Sequence, residues 1–238
     1  MRFVPQFTDG QEFPHPLGKV VCIGRNYADH AKELDNPVPT EPLLFIKPST
    51  SVVDLAKPLD PPFSLGDMHF EVELALLVGE TLTHATLDEA ERAIVGIGLA
   101  MDLTLRDVQT KLKEKGHPWE IAKGFDGACP LSAFLPLSRV PNWNALAFTL
   151  EIDGEERQHG EGADMIFAVP TLVAEMSRHF TLEPGDVILT GTPSGVGELV
   201  RGSKPNTCYL VWAIQDELFK TEFQDRLFKI GVAFQPFA

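Results

Sequence analysis

The chain has 238 residues, with 44% hydrophobic and 23% charged side chains and a formal net charge of −14. This length can bury a sizeable core, and we expect a single domain over residues 1–238. The acidic balance and the lack of a basic stripe argue against a nucleic-acid partner, and no apolar run reaches the roughly 18 residues that a membrane span needs.

In the first half of the chain, the patterns predict more strands than helices. Residues 1–7 lack the basic start and apolar stretch of a secretion signal, so we expect a cytoplasmic protein. Apolar runs predict strands at residues 19–23, 43–46, 69–78 and 96–102. Helices are predicted at residues 88–94, with Thr86 as cap, and at residues 105–115, ended by Gly116. The proline-rich stretch 55–67 is interpreted as an ordered loop between strands.

In the second half, strands again dominate. Segments 147–152 and 155–158 flank Asp153-Gly154, which is a strong hairpin signal. Helical spacing predicts a helix at residues 169–180, with Pro170 tolerated in its first turn. Further strands are predicted at residues 187–190, 207–214 and 221–230. Many strands, few helices and no regular β-α alternation indicate an α+β, β-dominated fold.

The three cysteines give no sign of a redox or zinc site. Cys22, Cys129 and Cys208 are isolated, odd in number and without C-x-x-C spacing. We therefore expect free thiols rather than a disulfide framework or a zinc knuckle.

An acidic pair interrupts the apolar pattern of the predicted strand 69–78. Glu71 and Glu73 are two residues apart, so both carboxylates should emerge from the same face of a strand. A solvent-facing strand edge would show the same alternation, and the pair alone does not decide between that edge and a cation site.

Asp102 favours the cation site. It follows an apolar segment, residues 97–101, where a carboxylate is costly unless it is paired or bound to a cation. Glu71, Glu73 and Asp102 together would offer three hard oxygen ligands, which suit Mg²⁺, with Mn²⁺ as an alternative.

Two further groups resemble catalytic residues. If the segment after the first strand is helical, His30 and Glu33 share a face, and the carboxylate would orient the imidazole as a base. The same spacing would also suit an ordinary surface pair. Lys123, in an apolar setting flanked by Gly124, is either a surface lysine or a cation aimed at developing negative charge.

Six motifs in order along the chain resemble those of the fumarylacetoacetate hydrolase family. They are Gly24-Arg25-Asn26-Tyr27-x-x-His30-x-x-Glu33, Phe45-Ile46-Lys47-Pro48, Glu71-Val72-Glu73-Leu74-Ala75, Asp102-Leu103-Thr104-x-Arg106-Asp107-x-Gln109, Lys123-Gly124-Phe125-Asp126 and Leu189-Thr190-Gly191-Thr192-Pro193-x-Gly195-Val196-Gly197. They span about residues 18 to 200 and are most similar to the short acylpyruvate hydrolase and oxaloacetate decarboxylase branch.

This resemblance implies a mixed β-roll of the fumarylacetoacetase C-terminal domain type, usually a homodimer, with Mg²⁺ on the matching carboxylates. It also implies a water-activating His30–Glu33 dyad on a lid segment and Lys123 beside the reacting carbonyl. Four residues match substrate-contacting positions: Arg25, Arg106, Gln109 and Thr192. For Thr192 we expect both the hydroxyl and the backbone amide to point towards a ligand carboxylate. A fourth metal-binding aspartate and a separate N-terminal domain, present in larger fumarylacetoacetases, have no evident counterpart.

The leading hypothesis is a Mg²⁺-dependent hydrolase that cleaves a C–C bond of a small acylpyruvate, such as acetylpyruvate or fumarylpyruvate, through a metal-bound pyruvate enolate. Oxaloacetate decarboxylation is the close alternative because it leaves the same enolate. Isomerisation or hydration of 2-oxo acids in aromatic catabolism, as in related members of the family, is a further one. A non-catalytic protein that binds a metal and a 2-oxo acid is the alternative from a different class.

Overall fold

A computed structural model describes residues 3–140, 142–200, 205–212 and 228–231. Within these residues the strands are β1 Val20–Ile23, β2 Leu44–Lys47, β3 Val52–Asp54, β4 Met68–Phe70, β5 Val72–Val78, β6 Ile94–Met101, β7 Thr104–Leu105, β8 Cys129–Leu131, β9 Leu135–Pro136, β10 Leu146–Ile152, β11 Glu155–Glu161, β12 Val187–Leu189, β13 Gly197–Glu198, β14 Pro205–Trp212 and β15 Phe228–Gly231. The α-helices are α1 Ala28–Glu33, α2 Leu87–Arg92, α3 Arg106–Lys115, α4 Glu120–Lys123 and α5 Val169–His179. The fold is therefore strand-dominated, as predicted.

The described strands form three sheets. The largest runs in the order β2-β1-β12-β5-β6-β8-β3, with β9 also paired to β6. Its β1–β12 and β3–β8 pairs are parallel, whereas β12–β5 and β5–β6 are antiparallel, so the sheet is mixed. A second sheet has the order β11-β10-β14-β15, and a third joins β13, β4 and β7.

Hydrophobic side chains cover both faces of the largest sheet. Alternate residues of the central strand β5 belong to different clusters, with Leu74 and Leu76 in one and Ala75 and Leu77 in the other. Helix α5 packs against the first cluster through Leu172, among other residues. Because β5 is buried along its whole length, the carboxylates near its start lie inside the protein rather than on a sheet edge.

The ends of several elements follow from local chemistry. Thr86 and Glu89 form a capping box at the start of α2. Gly116 ends α3 in the left-handed conformation, with φ 64°. Asp153 and Gly154 both have positive φ, 55° and 83°, which is the turn that their sequence predicts between β10 and β11.

The structure differs from the sequence predictions in a few elements. The predicted strand 69–78 is two strands, β4 and β5, separated at Glu71. Strand β3 and helix α4 were not predicted, and they are only three and four residues long. The last two predicted strands correspond to β14 and β15, while residues 213–214 and 221–227 of those predictions lie outside the described residues. Among the described helices, none is long and apolar enough to cross a membrane.

Candidate metal centre and adjoining dyad

The break between β4 and β5 places three carboxylates together. Glu71 lies in the break, Glu73 lies on β5, and Asp102 follows the antiparallel neighbour β6. Each offers an oxygen within 4.8 Å of the others, and the three residues are at most 4% exposed. The sequence prediction that these residues form one cluster is therefore consistent with the structure, although Glu71 is not in a strand.

Three cations surround the cluster. Lys123 Nζ donates to Glu71 Oε2 at 2.8 Å and to Asp102 Oδ2 at 2.6 Å. The Arg106 guanidinium donates to Glu71 Oε1. Lys47, which is fully buried, lies with Nζ 2.7 Å from Asp102 Oδ1. Because Lys47 also donates to the backbone carbonyls of Lys123 and Ala128, it holds the catalytic candidate Lys123 in place.

The cations stabilise the ionised carboxylates to different extents, so the pKa values of Glu71 and Glu73 shift in opposite directions. Although burial acts to raise it, Lys123 and Arg106 keep the pKa of Glu71 well below its usual range. For Glu73, burial and then the carboxylates of Asp102 and Glu71 raise the pKa well above its usual range. Burial acts to lower the pKa of Lys123, but Asp102 and Glu71 outweigh it and raise the pKa to about 12.

The donor atoms fit a divalent metal ion. Asp102 Oδ1 is buried and accepts no hydrogen bond from any described residue, since its contact with Lys47 lacks hydrogen-bond geometry. Because this buried oxygen accepts no hydrogen bond, its lone pairs can bind a further cation beside Lys47. Together with Glu71 and Glu73 it offers only hard oxygen donors, the set that Mg²⁺ and Mn²⁺ prefer.

His30 and Glu33, the predicted dyad, lie together on the six-residue helix α1, of which Glu33 is the last residue. His30 is 2% exposed, and its Nδ1 lies 3.2 Å from Glu33 Oε2. The other Glu33 oxygen, Oε1, accepts a hydrogen bond from the Gly195 amide at 3.0 Å. Glu33 is thus held by a loop on one side and orients the imidazole on the other.

The loop at residues 190–195 links the dyad to the carboxylate cluster. The Gly191 amide donates to Glu73 Oε2 at 2.6 Å, four residues before the Gly195 amide that holds Glu33. Both glycines have positive φ, 93° and 97°. A Cβ at Gly191 would lie 2.6 Å from Asn26 Cβ, and one at Gly195 would lie 2.0 Å from Arg157 O, so both positions require glycine.

Three of the predicted substrate-contacting residues are linked by hydrogen bonds to the carboxylate cluster or its strand: Arg106, Gln109 and Thr192. Arg106 NH1 donates to Gln109 Oε1 at 2.7 Å, one turn along α3. Arg25 precedes α1 and donates to the neutral Asn36 side chain at 2.8 Å. The prediction for the Thr192 hydroxyl is wrong, because this group donates to the Val72 carbonyl at 2.8 Å. A hydroxyl has a single hydrogen to donate, so only the backbone amide of Thr192 remains for a ligand carboxylate.

Sequence reasoning did not assign Lys47, Asn26 or Gln158 to the site. Asn26 is fully buried, donates to the Thr190 carbonyl at 2.8 Å and thereby fixes the segment before α1 to the loop. Lys47 and Asn26 lie inside the quoted motifs, where a charged or amide group within apolar sequence was a usable signal. Gln158 lies in a polar strand and carries no such signal.

An open groove of about 900 Å³ lies elsewhere, beside β3 and β8. It is lined by none of the predicted site residues, and its ionisable side chains are exposed or half-buried. One of them, Asp54, pairs with Lys57 at 3.2 Å. The size of a groove therefore does not identify the candidate catalytic site. The buried carboxylates and the His30–Glu33 dyad identify it instead.

Comparison with known proteins decides the family. The family model "Fumarylacetoacetate (FAA) hydrolase C-terminal" matches residues 19–221. The chain belongs to the fumarylacetoacetate hydrolase family. The predicted fold type, a strand-dominated domain of the kind found at the C-terminus of fumarylacetoacetases, is thereby confirmed.

Relatives within this family carry several activities. The chain is 51% identical over 196 residues to oxaloacetate tautomerase YcgM of Escherichia coli, covering 82% of this chain and 90% of that one. It is 43% identical over 185 residues to a mitochondrial oxaloacetate decarboxylase of Dictyostelium discoideum, covering 77% and 85%. Fumarylpyruvate hydrolase from Pseudomonas aeruginosa, solved with Mn²⁺ and pyruvate, is 35% identical with a TM-score of 0.80, covering 88% and 91%.

Proposed function

We propose that this chain is a metal-dependent tautomerase that interconverts the keto and enol forms of oxaloacetate. The observation that carries the proposal is the connection of a buried carboxylate cluster to a histidine base through one loop. The naming of oxaloacetate rests on the relatives, since the similar tautomerase from Escherichia coli is 51% identical to this chain.

The charges of the site suit a dianionic substrate. The three carboxylates of the cluster are matched by three cations, Lys47, Lys123 and Arg106. A divalent ion held by Glu71, Glu73 and Asp102 would supply a Lewis acid for the 2-oxo group. The site would then carry a local positive charge equal and opposite to the two carboxylates of oxaloacetate, within a protein whose net charge is −14.

The residues of the chain account for the proton transfer. Glu33 accepts a hydrogen bond from His30 Nδ1–H, which leaves Nε2 as the basic nitrogen. His30 would take a proton from C3 of the keto form to leave the enolate, whose oxygen then gains a proton from solvent water to give the enol; in the reverse direction the enol loses that oxygen proton to solvent and His30 returns its proton to C3. With a pKa of about 12, Lys123 stays protonated and would donate a hydrogen bond to the oxygen on which negative charge develops.

Two cations near the site remain for the second carboxylate. Arg25 donates a hydrogen bond to the neutral Asn36 side chain, and Lys113, unlike its neighbour Lys111, forms no ion pair with any residue that the structure describes. Partial burial, followed by the charges of Arg25 and Arg106, lowers the pKa of Lys113, although much of this residue is exposed. A second substrate carboxylate between Arg25 and Lys113 would relieve the repulsion between these two cations. Their presence therefore favours a dicarboxylate over a monocarboxylate substrate.

Bond cleavage at the same site is a second candidate. The similarity to a fumarylpyruvate hydrolase and to an oxaloacetate decarboxylase supports it. For hydrolysis, the same dyad would activate a water molecule, so the leading hypothesis from the sequence needs no other residues. Decarboxylation would need no base and would depend on Lys123 and the metal ligands alone.

The test is a comparison of substrates with the purified protein. Enol-oxaloacetate, acetylpyruvate and fumarylpyruvate would each be incubated with Mg²⁺, Mn²⁺ or EDTA, and enol absorbance, CO₂ and pyruvate would be followed. We expect rapid loss of the enol with a metal and no acceleration in EDTA. Release of pyruvate from an acylpyruvate at a higher kcat/KM than enol conversion would instead assign the protein as a hydrolase.

A further inference from the structure

Side chains, rather than a strand, complete the sheet edge beside the carboxylates. Strand β12 pairs with β5 only as far as Leu189 opposite Ala75. Beyond that point, the Thr192 hydroxyl donates to the Val72 carbonyl at 2.8 Å, and the Val72 amide donates to Gln158 Oε1 at 2.9 Å. Both backbone groups of the residue between Glu71 and Glu73 are therefore satisfied by side chains from other elements.

Gln158 joins these elements through one buried amide. The residue is 1% exposed, and its Oε1 accepts the bond from Val72. Its Nε2 donates to Thr192 Oγ1 at 2.8 Å and to the Pro193 carbonyl at 3.0 Å. Both ends of the side-chain amide are used, so Gln158 ties the start of β5 to the loop in a fixed register.

The loop that Gln158 holds is the one that contacts both halves of the site. Pro193 lies between Gly191, whose amide binds Glu73, and Gly195, whose amide binds Glu33. A displacement of the loop at Pro193 would therefore move both amides. Since Glu33 orients His30, the position of the base relative to the carboxylates depends on the same segment.

Strand β11 also packs closely against this loop. Its residues are exposed except for Gln158 and Gly160. A Cβ on Gly160 would meet Pro193 Cγ at 3.0 Å, and one on Gly195 would meet Arg157 O at 2.0 Å. The backbone of β11 thus supports the loop, and Gln158 is the side chain that extends from it to the carboxylate strand.

We propose that Gln158 is a positioning residue that sets the geometry between the metal carboxylates and the His30–Glu33 dyad. This proposal deepens the proposed function and rests on it for its effect on turnover, although its effect on metal binding stands independently. Partners that orient metal ligands typically contribute 10- to 100-fold in affinity or activity, which gives roughly the size of effect to expect.

An amide suits this position better than a carboxylate. Gln158 must accept from one backbone amide and donate to a carbonyl and a hydroxyl, and a glutamate could do only the first when ionised. It would also add a fourth negative charge beside Glu71 and Glu73. Gln158→Glu is accordingly expected to act as a loss of the contact despite its unchanged shape.

The main experiment compares Gln158→Met with a matched control, Ser177→Ala. Ser177 is also buried, accepts from the Ala85 amide at 2.9 Å and donates to the Ala174 carbonyl at 2.7 Å, but it lies on α5. Thermal unfolding, Mn²⁺ affinity measured by the paramagnetic resonance of free Mn²⁺, kcat and KM would be determined for both. We expect both to lose thermal stability, and only Gln158→Met to weaken Mn²⁺ binding, by about tenfold or more, and to lower kcat more than it raises KM.

Thr192 provides a second route if Gln158→Met fails to fold. Thr192→Val removes the hydroxyl at constant shape, whereas Thr192→Ser keeps it. We expect Thr192→Val to weaken Mn²⁺ binding and Thr192→Ser to keep it near the wild-type value. In the combined Gln158→Glu and Thr192→Val variant, the losses should not add, because both substitutions break one linked set of hydrogen bonds.

The proposal would be overturned if Gln158→Met kept the wild-type Mn²⁺ affinity and kcat, because Gln158 would then be a structural residue only. If Gln158→Met does not fold, the same result with Gln158→Glu would overturn it. Fully additive losses in the double variant would overturn it as well. If the wild-type protein turns over none of the 2-oxo acids, the proposed function fails, while the Mn²⁺ affinities and their additivity still test the positioning role.

Discussion

Glu71, Glu73 and Asp102 are all buried, but neighbouring cations and hydrogen-bond donors compensate their negative charges differently. Glu71 contacts Arg106 and Lys123, and Asp102 contacts Lys47 and Lys123. Glu73 has a single hydrogen bond within the described part of the chain, from the Gly191 amide, and no ion pair there. It is therefore the carboxylate that most needs a metal ion in order to be ionised.

This difference predicts how stability depends on pH when the metal is removed. The pKa of Glu73 is raised in the folded protein, above its value of about 4.3 in an unfolded chain. Above that pH the folded state binds more protons than the unfolded state, so this residue makes the protein less stable as pH rises. In EDTA, Glu73→Gln should therefore be more stable than the wild type near neutral pH, with a difference that shrinks as pH falls towards the unfolded pKa.

Urea unfolding in EDTA between about pH 4 and pH 8 would measure this difference. Glu161→Gln, at an exposed position on β11, serves as the control and should show no such trend. Added Mn²⁺ should stabilise the wild type by about 2.7 kcal/mol at a hundredfold excess over Kd, and Glu73→Gln much less. A variant less stable than the wild type throughout would contradict this electrostatic explanation.

At the scale of elements, the loop between β12 and β13 brings the base to the carboxylates. Its two glycine amides bind Glu73 and Glu33, and each glycine is needed because of positive φ and a close neighbour. The loop is thus both a turn and a pair of hydrogen-bond donors. A side chain at Gly195 would disturb both roles.

Gly195→Ala tests that conclusion against Gly154→Ala. Both glycines have positive φ, 97° and 83°, but a Cβ on Gly154 would meet no atom of the described residues within 4 Å. The control should lose roughly 1–2 kcal/mol of stability, the cost of the left-handed conformation, and keep its kcat. Gly195→Ala should lose more stability and also lower kcat, because its Cβ would displace the amide that holds Glu33. Equal effects on stability and kcat would argue against a role of the loop in the dyad.

Helix α3 presents a row of residues to the site. Arg106, Gln109 and Lys113 follow each other at helical spacing, and the first contacts Glu71. Lys111 lies off this row, where it pairs with Asp107 at 3.0 Å. The far end of the row is where a second substrate carboxylate would be recognised.

Lys113→Gln should raise KM for oxaloacetate about threefold to tenfold, the equivalent of roughly 0.7–1.4 kcal/mol, with little change in kcat. Inhibition by pyruvate, which has a single carboxylate, should be unaffected. Lys111→Gln is the matched control on the same helix and should leave both constants near wild type. Steady-state kinetics would refute the role of Lys113 in binding the second carboxylate if Lys113→Gln and Lys111→Gln had the same KM. The role would also be refuted if Lys113→Gln weakened pyruvate inhibition as much as it raised the KM for oxaloacetate.

At the scale of the whole molecule, the charge distribution resolves an apparent conflict. A protein of net charge −14 should repel a dianion, yet three cations balance the three carboxylates of the cluster, so that a bound divalent ion would make the site locally positive. Salt and water screen the buried charges of the site little, so these charges interact strongly with a bound substrate. The solvated charges of the surface are screened by salt. The local field of the site can therefore oppose the field of the surface.

The sequence predicted the cluster because local patterns identify its members. Glu71 and Glu73 interrupt an apolar run and Asp102 follows one, and the helix pattern of α3 and the Asp153-Gly154 hairpin also depend on neighbouring residues. Contacts between distant segments could not be predicted in this way. Lys47 meets Asp102 from another strand, and the Gln158 side chain is buried in a strand whose composition is typical of a surface.

The hydroxyl of Thr192 shows the same limit, because its partner Val72 is 120 positions away in the sequence. The resemblance to the family implied which residues contact a ligand, but it did not specify which atom of each residue is free. The homodimer, the single-domain organisation and the cytoplasmic location stay predictions. The first and the last depend on a partner or on surroundings beyond one chain, and the single-domain prediction also covers residues outside the described ones.

The most direct test of the central claim is proton exchange at C3 of oxaloacetate in D₂O, followed by proton NMR with Mg²⁺. Exchange requires enolisation but no bond cleavage, so it isolates the step assigned to His30. We expect the wild type to accelerate exchange above a Mg²⁺-only control, EDTA to abolish the acceleration and His30→Ala to reduce it about 10²–10⁴-fold. His159→Ala, at a largely exposed position on β11, should behave as the wild type. Exchange no faster than the Mg²⁺-only control, or an unchanged rate in His30→Ala, would contradict the assignment of this site as a metal-dependent enolisation centre.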